Sequence, residues 1–263
     1  MALRRMAEYF SRRVVFRRRL PREVGGATIY VTPAASLSYW IRPMERIDPM
    51  LLQFVRDHVR PGSTVWDVGA NVGLFGFAAA GVAGPEGSVL ALEADDWLAA
   101  LVRRSAQLNA GTMAAVSVLG VAVSDRVGVA QFAIARRGRA SNFLREAEGS
   151  SQAGGVRETR LAMTVTLDWL LERFKPPDVI KIDVEGAEHL VLAGAARLLQ
   201  SVRPIILCEV APRNRAPLAR LFREAEYTLY PATPGASAPS IVQPVANTLA
   251  IPADAATGLG GQT

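Results

Sequence analysis

The chain has 263 residues, of which 50% are hydrophobic and 21% charged, a composition typical of a globular protein and not of a fibrous or disordered one. Its formal net charge of +6 is unevenly placed: residues 1–22, with eight arginines and one glutamate, carry +7, so the remaining 241 residues carry −1. A near-neutral body lacks the basic surface of a nucleic-acid-binding protein, and we predict no nucleic-acid partner.

The cysteine and histidine content restricts the metal and redox chemistry. Cys208 is the only cysteine, which excludes an intramolecular disulfide and a cysteine-cluster metal site. Two histidines argue against a multi-histidine centre, and we predict no metal site. The uncharged segments are too rich in glycine or polar residues to span a membrane, and no signal peptide is recognised. We therefore expect a cytoplasmic protein.

Residues 1–22 interleave their arginines with apolar residues. This pattern predicts a helical arm with one basic and one apolar face. The arm could rest on the inner face of an anionic membrane or contact a second copy of the chain.

Residues 23–60 form a predicted N-terminal extension of two short strands and a helix. Asp48 is the expected cap of the helix, because Pro49 suits the first helical position. The predicted strands cover residues 27–31 and 37–42, and the helix covers 48–59.

From Pro61 onward, strands alternate with helices. The predicted strands are 63–70, 88–94, 115–124, its hairpin partner 127–135, 178–184, 203–210, 227–232 and 247–253. The predicted helices are 72–83, 95–109, 166–174, 189–200 and 215–225. Apolar runs without alternation, joined by helices, indicate a parallel sheet covered by helices on both faces. We assign this α/β domain to residues 61–253 and a flexible tail to 254–263.

Two segments, 136–160 and 233–246, have no hydrophobic period, and each is predicted to be either a functional loop or disordered. The first is a candidate substrate lid, in which Arg139, Ser141 and Asn142 would bind the substrate. Its arginines either meet an acidic or phosphorylated substrate or remain solvated loop charges.

The glycine-containing sequence DVGANVG (67–73) follows the first strand of the domain. In an open α/β sheet, ligands bind at the carboxyl ends of the strands. Gly69 and Gly73 would let the backbone pass close to a ligand. Asn71 occupies the position where a dinucleotide fingerprint requires glycine, which disfavours NAD. An NAD-linked oxidoreductase is therefore the alternative that we favour less.

Glu93 ends the second strand, where an acidic side chain can accept hydrogen bonds from ribose hydroxyls. Together with the glycine turn, it indicates a nucleoside cofactor, and S-adenosylmethionine is the leading candidate.

The sequence VIKIDVEGAEHL (179–190) places Lys181 and Asp183 on the same face of a strand. An ion pair between them would keep Asp183 ionised and oriented. Glu185 and Glu188 lie at the following turn, where acidic residues also suit the start of a helix.

These segments resemble the FkbM-type S-adenosylmethionine-dependent methyltransferases. The resemblance covers roughly residues 60–252 and includes DVGANVGLF, LALEADDWL, VAVSDRVG, TVTLDWLLE, VIKIDVEGAEHLVLAGA, RPIILCEV and NTLAIP. It implies a class I, Rossmann-like methyltransferase fold with a seven-stranded, mostly parallel sheet whose last strand is antiparallel. It also implies O-methylation of a hydroxyl on a sugar, glycan or polyketide-type metabolite.

The same resemblance implies roles for individual residues. Glu93 would hold the ribose, and residues 121–125, including Ala122, Ser124 and Asp125, would border the adenine. Asp183, Glu185 and Glu188 would lie nearest the transferring methyl group, with Glu188 towards the substrate. The methionine end of the cofactor would contact Asp67, Gly69, Ala70, Asn71 and Gly73.

One position departs from the family pattern. Many members carry a histidine two residues after the glutamate that ends the fifth strand, and here that position is Ala211. We therefore hypothesise that Asp183 or Glu209 accepts the proton of the acceptor, with Lys181 and Glu185 in the same catalytic group. Mg²⁺ held by Asp183 and Glu209 is an alternative that the sequence does not require. A non-catalytic protein that binds a membrane or partner through the basic arm is the remaining alternative.

Overall fold

The computed structural model of the chain describes residues 14–136, 139–147, 155–232 and 239–256. The strands in these ranges are β1 (Phe16–Arg19), β2 (Thr28–Val31), β3 (Thr64–Val68), β4 (Ser88–Leu92), β5 (Ala115–Leu119), β6 (Ala122–Val123), β7 (Gly128–Ala135), β8 (Phe143–Leu144), β9 (Val156–Val165), β10 (Val179–Ile182), β11 (Ile205–Glu209), β12 (Tyr227–Pro231) and β13 (Asn247–Pro252). The α-helices are α1 (Ser38–Ile41), α2 (Pro49–His58), α3 (Leu74–Ala83), α4 (Asp96–Leu108), α5 (Leu167–Leu171), α6 (Glu188–Ala193), α7 (Arg215–Glu224) and α8 (Ala253–Ala256).

A seven-stranded sheet forms the centre of the fold, in the order β12-β13-β11-β10-β3-β4-β5. β13 runs antiparallel to both of its neighbours, β11 and β12, whereas β11, β10, β3, β4 and β5 are parallel. The sequence-based prediction of a seven-stranded, mostly parallel sheet with an antiparallel last strand is confirmed.

Both faces of the sheet are buried at its central strands β3, β4 and β10, as their unbroken apolar sequences require. Side chains of alternate residues in β3 enter different cores: Val65 packs with Phe75 and Phe77 of α3, whereas Trp66 packs with Phe222 of α7. Within the described ranges, no helix is long and apolar enough to cross a bilayer.

The N-terminal segment packs as part of the first core. β1 pairs antiparallel with β2 over Phe16–Arg19, so the predicted helix over 1–22 is wrong for this part, and residues 1–13 lie outside the described ranges. Burial alternates along β1, with Phe16 and Arg18 half-buried and Arg17 and Arg19 exposed, which is the period of a strand and not of a helix. The side chain of Arg18 donates to the carbonyl oxygens of Tyr39 (2.9 Å) and Arg42 (2.6 Å).

The predicted strand over 37–42 is also wrong, because Ser38–Ile41 form the one-turn helix α1. The predicted helix over 48–59 is confirmed as α2, and Asp48 caps it by accepting from the amide of Leu51 at 2.9 Å. Across the fold, β2 is held against α4, where Asn109 accepts from the amide of Thr28 at 3.0 Å.

A second, four-stranded sheet has the order β6-β9-β7-β8 and was not predicted. The predicted strand over 115–124 divides into β5, in the main sheet, and β6, in the small one. β7 pairs with β8 and β9, so the predicted hairpin with 115–124 is wrong. The predicted loop 136–160 contributes β8 and the start of β9 to this sheet, while residues 137–138 and 148–154 lie outside the described ranges.

Two further boundaries differ from the prediction. The helix predicted over 189–200 ends at Ala193, and a π-helical segment follows at Leu198–Val202. The carboxylate of Asp168 accepts from the amides of Arg197 and Leu198, which fixes the start of this second segment. Residues 254–256 of the predicted tail belong to α8.

Two glycines set how closely the N-terminal segment approaches α3. A Cβ on Gly81 would lie 2.2 Å from the carbonyl oxygen of Val24 and 2.8 Å from the Cα of Gly25. No side chain fits between these backbones, so this contact requires glycine at both positions.

We expect Gly81→Ala to lower the free energy of unfolding by about 1–3 kcal/mol, because overpacking exceeds the gain in helix propensity. Urea unfolding measures the change. Gly128→Ala is the control, since a Cβ there would meet only the Thr164 hydroxyl at 3.8 Å. Equal or greater stability of Gly81→Ala would contradict the close contact.

Candidate active site

The carboxyl ends of four parallel strands lie level with one another. In the registers of β10 with β3 and of β3 with β4, Val68 pairs with both Ile182 and Leu92. In the register of β10 with β11, Ile182 pairs with Cys208. The residues that follow these strands, among them Asp183 and Glu209, therefore meet at one edge of the sheet. The sequence predicts that the ligand binds at this edge.

Lys181 lies at the centre of this edge and is nearly buried. Its Nζ is 3.1 Å from Asp183 Oδ2 and 3.7 Å from Asp67 Oδ1, and it donates to the carbonyl oxygen of Gly69 at 3.2 Å. Burial alone would lower the pKa of Lys181, but Asp183 and Asp67 outweigh it and hold the pKa above its ordinary value. Lys181 is therefore a permanent cation between two carboxylates.

The glycine turn joins β3 to this arrangement. A Cβ on Gly69 would lie 1.8 Å from the carbonyl oxygen of Asp183, so glycine is required by the approach of two strand ends. Asp67 is fully buried, and its Oδ2 accepts from the amide of Gly76 at 3.0 Å. Gly73, with φ +86°, precedes α3 directly. Asp67 and Gly73 thus help to fix the conformation of the glycine turn after β3.

Glu93 is 7% exposed and braces the same turn. Its two carboxylate oxygens accept from the amides of Asn71 (2.7 Å) and Asp95 (2.8 Å). Burial raises the pKa of Glu93 to about 7, although both amides favour the charged form. Each oxygen keeps a further lone pair for a hydroxyl donor.

The first cavity, of about 240 Å³, opens beside Glu93. The main sheet and α4 supply one wall, and the small sheet supplies the other with Phe132, Phe143 and Leu144. The wall formed by the main sheet and α4 includes Val68, Gly69, Asn71, Leu92, Glu93 and Leu98, whereas Ala122 and Val123 of β6, with Val121 before them, belong to the small-sheet side. The cavity is thus apolar on two sides and acidic at one end.

Arg139 and Asn142 also line the first cavity, tied to a carboxylate that sequence analysis did not single out. Arg139 forms an ion pair with Asp95, and Asn142 donates to the same oxygen, Oδ2, at 2.9 Å. The Arg139 guanidinium also lies 4.6 Å from the ring centroid of Trp97. Asp95 was not identified as a site residue from the sequence because an aspartate directly before a helix is typical of a helix cap. Asp95 also has that capping role at the start of α4.

The second cavity, of about 210 Å³, has Lys181 among its lining residues. The N-terminal segment supplies much of its wall, which includes Ser36, Ser38, Tyr39, Asp48, Met50 and Leu51. Asn71, Asp183 and Glu209 line both cavities. No local pattern in the sequence could connect residues 36–51 with the strand ends.

The carboxylates at this junction influence one another. The charge of Asp183, assisted by burial, raises the pKa of Glu209 to about 7, against the opposing effect of Lys181. Burial, with Asp183 next, raises the pKa of Glu185 to about 8. Glu185 has φ +52° and lines the first cavity. In the described part of the chain, no cluster of three or more metal-ligating side chains could hold a metal ion.

The other residues expected at the site have different positions. Ala70 lines the second cavity. Ser124 donates to Asp125, and Ser141 ends a short 3-10 turn that begins at Arg139. Glu188 is 1% exposed, and its carboxylate accepts from the amide of Gly186 at 2.6 Å and the side chain of Asn214 at 2.5 Å. Glu188 thus braces the turn after β10, and the substrate-binding role of this residue stays a prediction.

The sequence profile of the Methyltransferase FkbM domain matches residues 67–229, from the buried aspartate of β3 to β12. The chain belongs to the FkbM methyltransferase family. It is therefore an S-adenosylmethionine-dependent methyltransferase, and the NAD-linked alternative is wrong. No curated protein sequence matches the chain.

Several solved methyltransferases are similar to the chain at low identity. The FkbM methyltransferase of Methylobacillus flagellatus is 15% identical, covering 76% of this chain and 50% of that one, with a TM-score of 0.46. An S-adenosylmethionine-dependent O-methyltransferase of Thermotoga maritima is 12% identical (86% and 73%, TM-score 0.46). Magnesium protoporphyrin IX methyltransferase of Synechocystis, with bound S-adenosylmethionine, is 12% identical (79% and 78%, TM-score 0.44).

The first cavity fits the cofactor of the family. Glu93 presents a buried carboxylate suited to ribose hydroxyls, and apolar side chains such as Leu98 and Phe132 offer surfaces for a purine. Asn71 carries a buried Oδ1 without a hydrogen-bond partner among the described residues, which a ligand donor would satisfy. Glu93, Asn71 and the wall around Ala122 would hold S-adenosylmethionine.

We expect Lys181→Met to lower the free energy of unfolding by about 3–5 kcal/mol, because it leaves the buried carboxylate of Asp67 without its counter-charge. Adding Asp67→Asn should recover part of this loss, since the amide oxygen can still accept from Gly76. Chemical denaturation measures both changes. Lys175→Met, on the exposed second lysine, should change stability by less than about 0.5 kcal/mol. A loss at Lys181 as small as that at Lys175 would disprove the buried network.

Proposed function

We propose that the protein transfers a methyl group to a hydroxyl oxygen and that Glu209, with Asp183, accepts the hydroxyl proton. The observation that carries this proposal is the position of both carboxylates, which line the two cavities at their junction. The group that accepts the hydroxyl proton must lie near both the acceptor and the cofactor, and the junction of the two cavities is such a position.

The chemistry requires little more than positioning and a proton acceptor. S-adenosylmethionine, when bound, supplies an electrophilic methyl group. A hydroxyl is a weak nucleophile, and a carboxylate that takes its proton accelerates such a reaction by about 10²- to 10⁴-fold. Glu209 suits this role because its pKa of about 7 matches a base that works near neutral pH.

Lys181 has a positioning role in this proposal. Its contact with Asp183 fixes one carboxylate of the pair, and its charge lowers the pKa of Glu209 relative to a site without it. Ala211 stands where many family members carry histidine, so the carboxylates replace an imidazole as proton acceptors.

The acceptor that we propose is a sugar, glycan or polyketide-type metabolite. The second cavity combines hydroxyl, amide and carboxylate groups with the rings of Tyr39 and Phe75. This mixture suits a hydroxylated ring, whose faces pack on aromatic groups while its edges form hydrogen bonds. The contact of residues 1–22 with a membrane or second copy stays a proposal that rests on their charge.

We expect Glu209→Gln to reduce kcat for methyl transfer by about 10²- to 10⁴-fold while leaving the affinity for S-adenosylhomocysteine unchanged, because the amide cannot accept the proton. A screen of hydroxylated glycans and polyketides by mass spectrometry supplies the substrate. Titration calorimetry measures S-adenosylhomocysteine binding. Normal turnover by both Glu209→Gln and Asp183→Asn would disprove the proposal.

The same proposal fixes the direction of the pH dependence. The base acts as a carboxylate, and its pKa is raised to about 7. The value of kcat/KM should therefore rise as the pH increases through about 7 and become constant above it. The residual activity of Glu209→Gln should lack this rise, and a profile that is flat between pH 5 and 8 in the unaltered protein would contradict the assignment.

A further inference from the structure

Nearly half of the residues that line the second cavity lie outside the part of the chain that matches the FkbM domain. Ser38, Tyr39 and Asp48 precede residue 67, and Asn247 follows residue 229. The family match therefore covers the residues of the first cavity and the junction but not this part of the second cavity wall.

We propose that the second cavity is the acceptor subsite and that it selects uncharged or cationic hydroxylated rings against anionic ones. This inference rests on the proposed function, because it takes the second cavity as the place from which a hydroxyl reaches Glu209. The segment 36–51 is then the specificity-determining element of the enzyme.

The charges around the cavity give the direction of selection. Asp48, Asp183 and Glu209 contribute three carboxylates to its wall, and Lys181 is the cation among its lining residues. The charge of Lys181 is already shared between Asp183 and Asp67. A phosphate or carboxylate entering here would meet unbalanced negative charge in a partly desolvated site, which repels it.

Arg139, the lid arginine that could attract an anionic substrate, is not among the residues that line the second cavity. Arg139 lines the first cavity and is paired with Asp95. Of the two alternatives that the sequence left open for the lid arginines, an acidic substrate or solvated loop charges, this proposal disfavours the acidic substrate. Arg139 instead holds the small sheet against the wall of the first cavity.

The polar groups of the cavity remain suited to hydroxyls. Tyr39 is 5% exposed, and burial raises the pKa of its phenol above the ordinary value, so it remains neutral. Tyr39 lies in α1. Arg18 of β1 holds α1 in place by donating to the carbonyl oxygens of Tyr39 and Arg42. One arginine of the basic N-terminal region thus positions the cavity wall.

The charge selection can be measured without knowing the acceptor. Ser38→Cys places a thiol on the cavity wall, while the native Cys208 is fully buried. The variant is treated with two methanethiosulfonates, the cationic trimethylammonium-ethyl reagent and the anionic sulfonatoethyl reagent. Ser117→Cys, on the exposed position of edge strand β5, is the control.

We expect the ratio of cationic to anionic labelling rates to be about tenfold higher at position 38 than at position 117, as Coulomb repulsion at a partly buried site implies. Adding Asp48→Asn should lower this ratio, because the amide removes one charge and can still cap α2. Equal ratios at the two positions, or no effect of Asp48→Asn with the fold intact, would overturn the charge selection.

A second measurement separates this inference from the proposed function. Labelling of Ser38→Cys should abolish methyl transfer to a hydroxylated acceptor while leaving S-adenosylhomocysteine affinity unchanged. Undiminished transfer after complete labelling would overturn the acceptor subsite alone. If the unlabelled protein binds S-adenosylhomocysteine but methylates only nitrogen or carbon acceptors, the O-methyl proposal fails, and the labelling ratio still decides the charge selection.

Discussion

The ammonium group of Lys181 is the contact on which the site depends. It joins β10 to the glycine turn after β3 through Gly69, balances the buried carboxylate of Asp67 and holds Asp183. An uncompensated carboxylate in this interior would be costly, and a buried ion pair is justified only when its geometry is well satisfied. Lys181 therefore allows the carboxylate of Asp67 to be buried, and it also fixes the carboxylate of Asp183, which lines both cavities.

The two cavities are completed by different additions to the central sheet. The small sheet supplies aromatic side chains that close the first cavity, and the N-terminal segment supplies the polar wall of the second. Each addition is held by contacts remote from the chemistry, such as the Arg139–Asp95 ion pair and the touching backbones of Gly25 and Gly81.

Much of the central sheet could be predicted because its strands are apolar throughout and end in polar motifs. The positions of Asp67, Glu93 and Asp183 at the strand ends followed from that pattern. Residues 16–19 could not be assigned correctly, since their sequence FRRR has no alternation of apolar and basic residues that would indicate a strand. The small sheet and the second cavity depend on pairing between distant segments, which leaves no local signal.

The central claim is that the nucleoside occupies the first cavity and that its reactive end meets Asp183 and Glu209 at the junction. A crystal structure of the complex with S-adenosylhomocysteine tests it most directly. We expect ribose hydroxyls within hydrogen-bonding distance of Glu93 and adenine against the wall that contains Ala122. We expect the sulfur to face the carboxylates of Asp183 and Glu209. A nucleoside bound in the second cavity, between Tyr39 and Asn247, would contradict it.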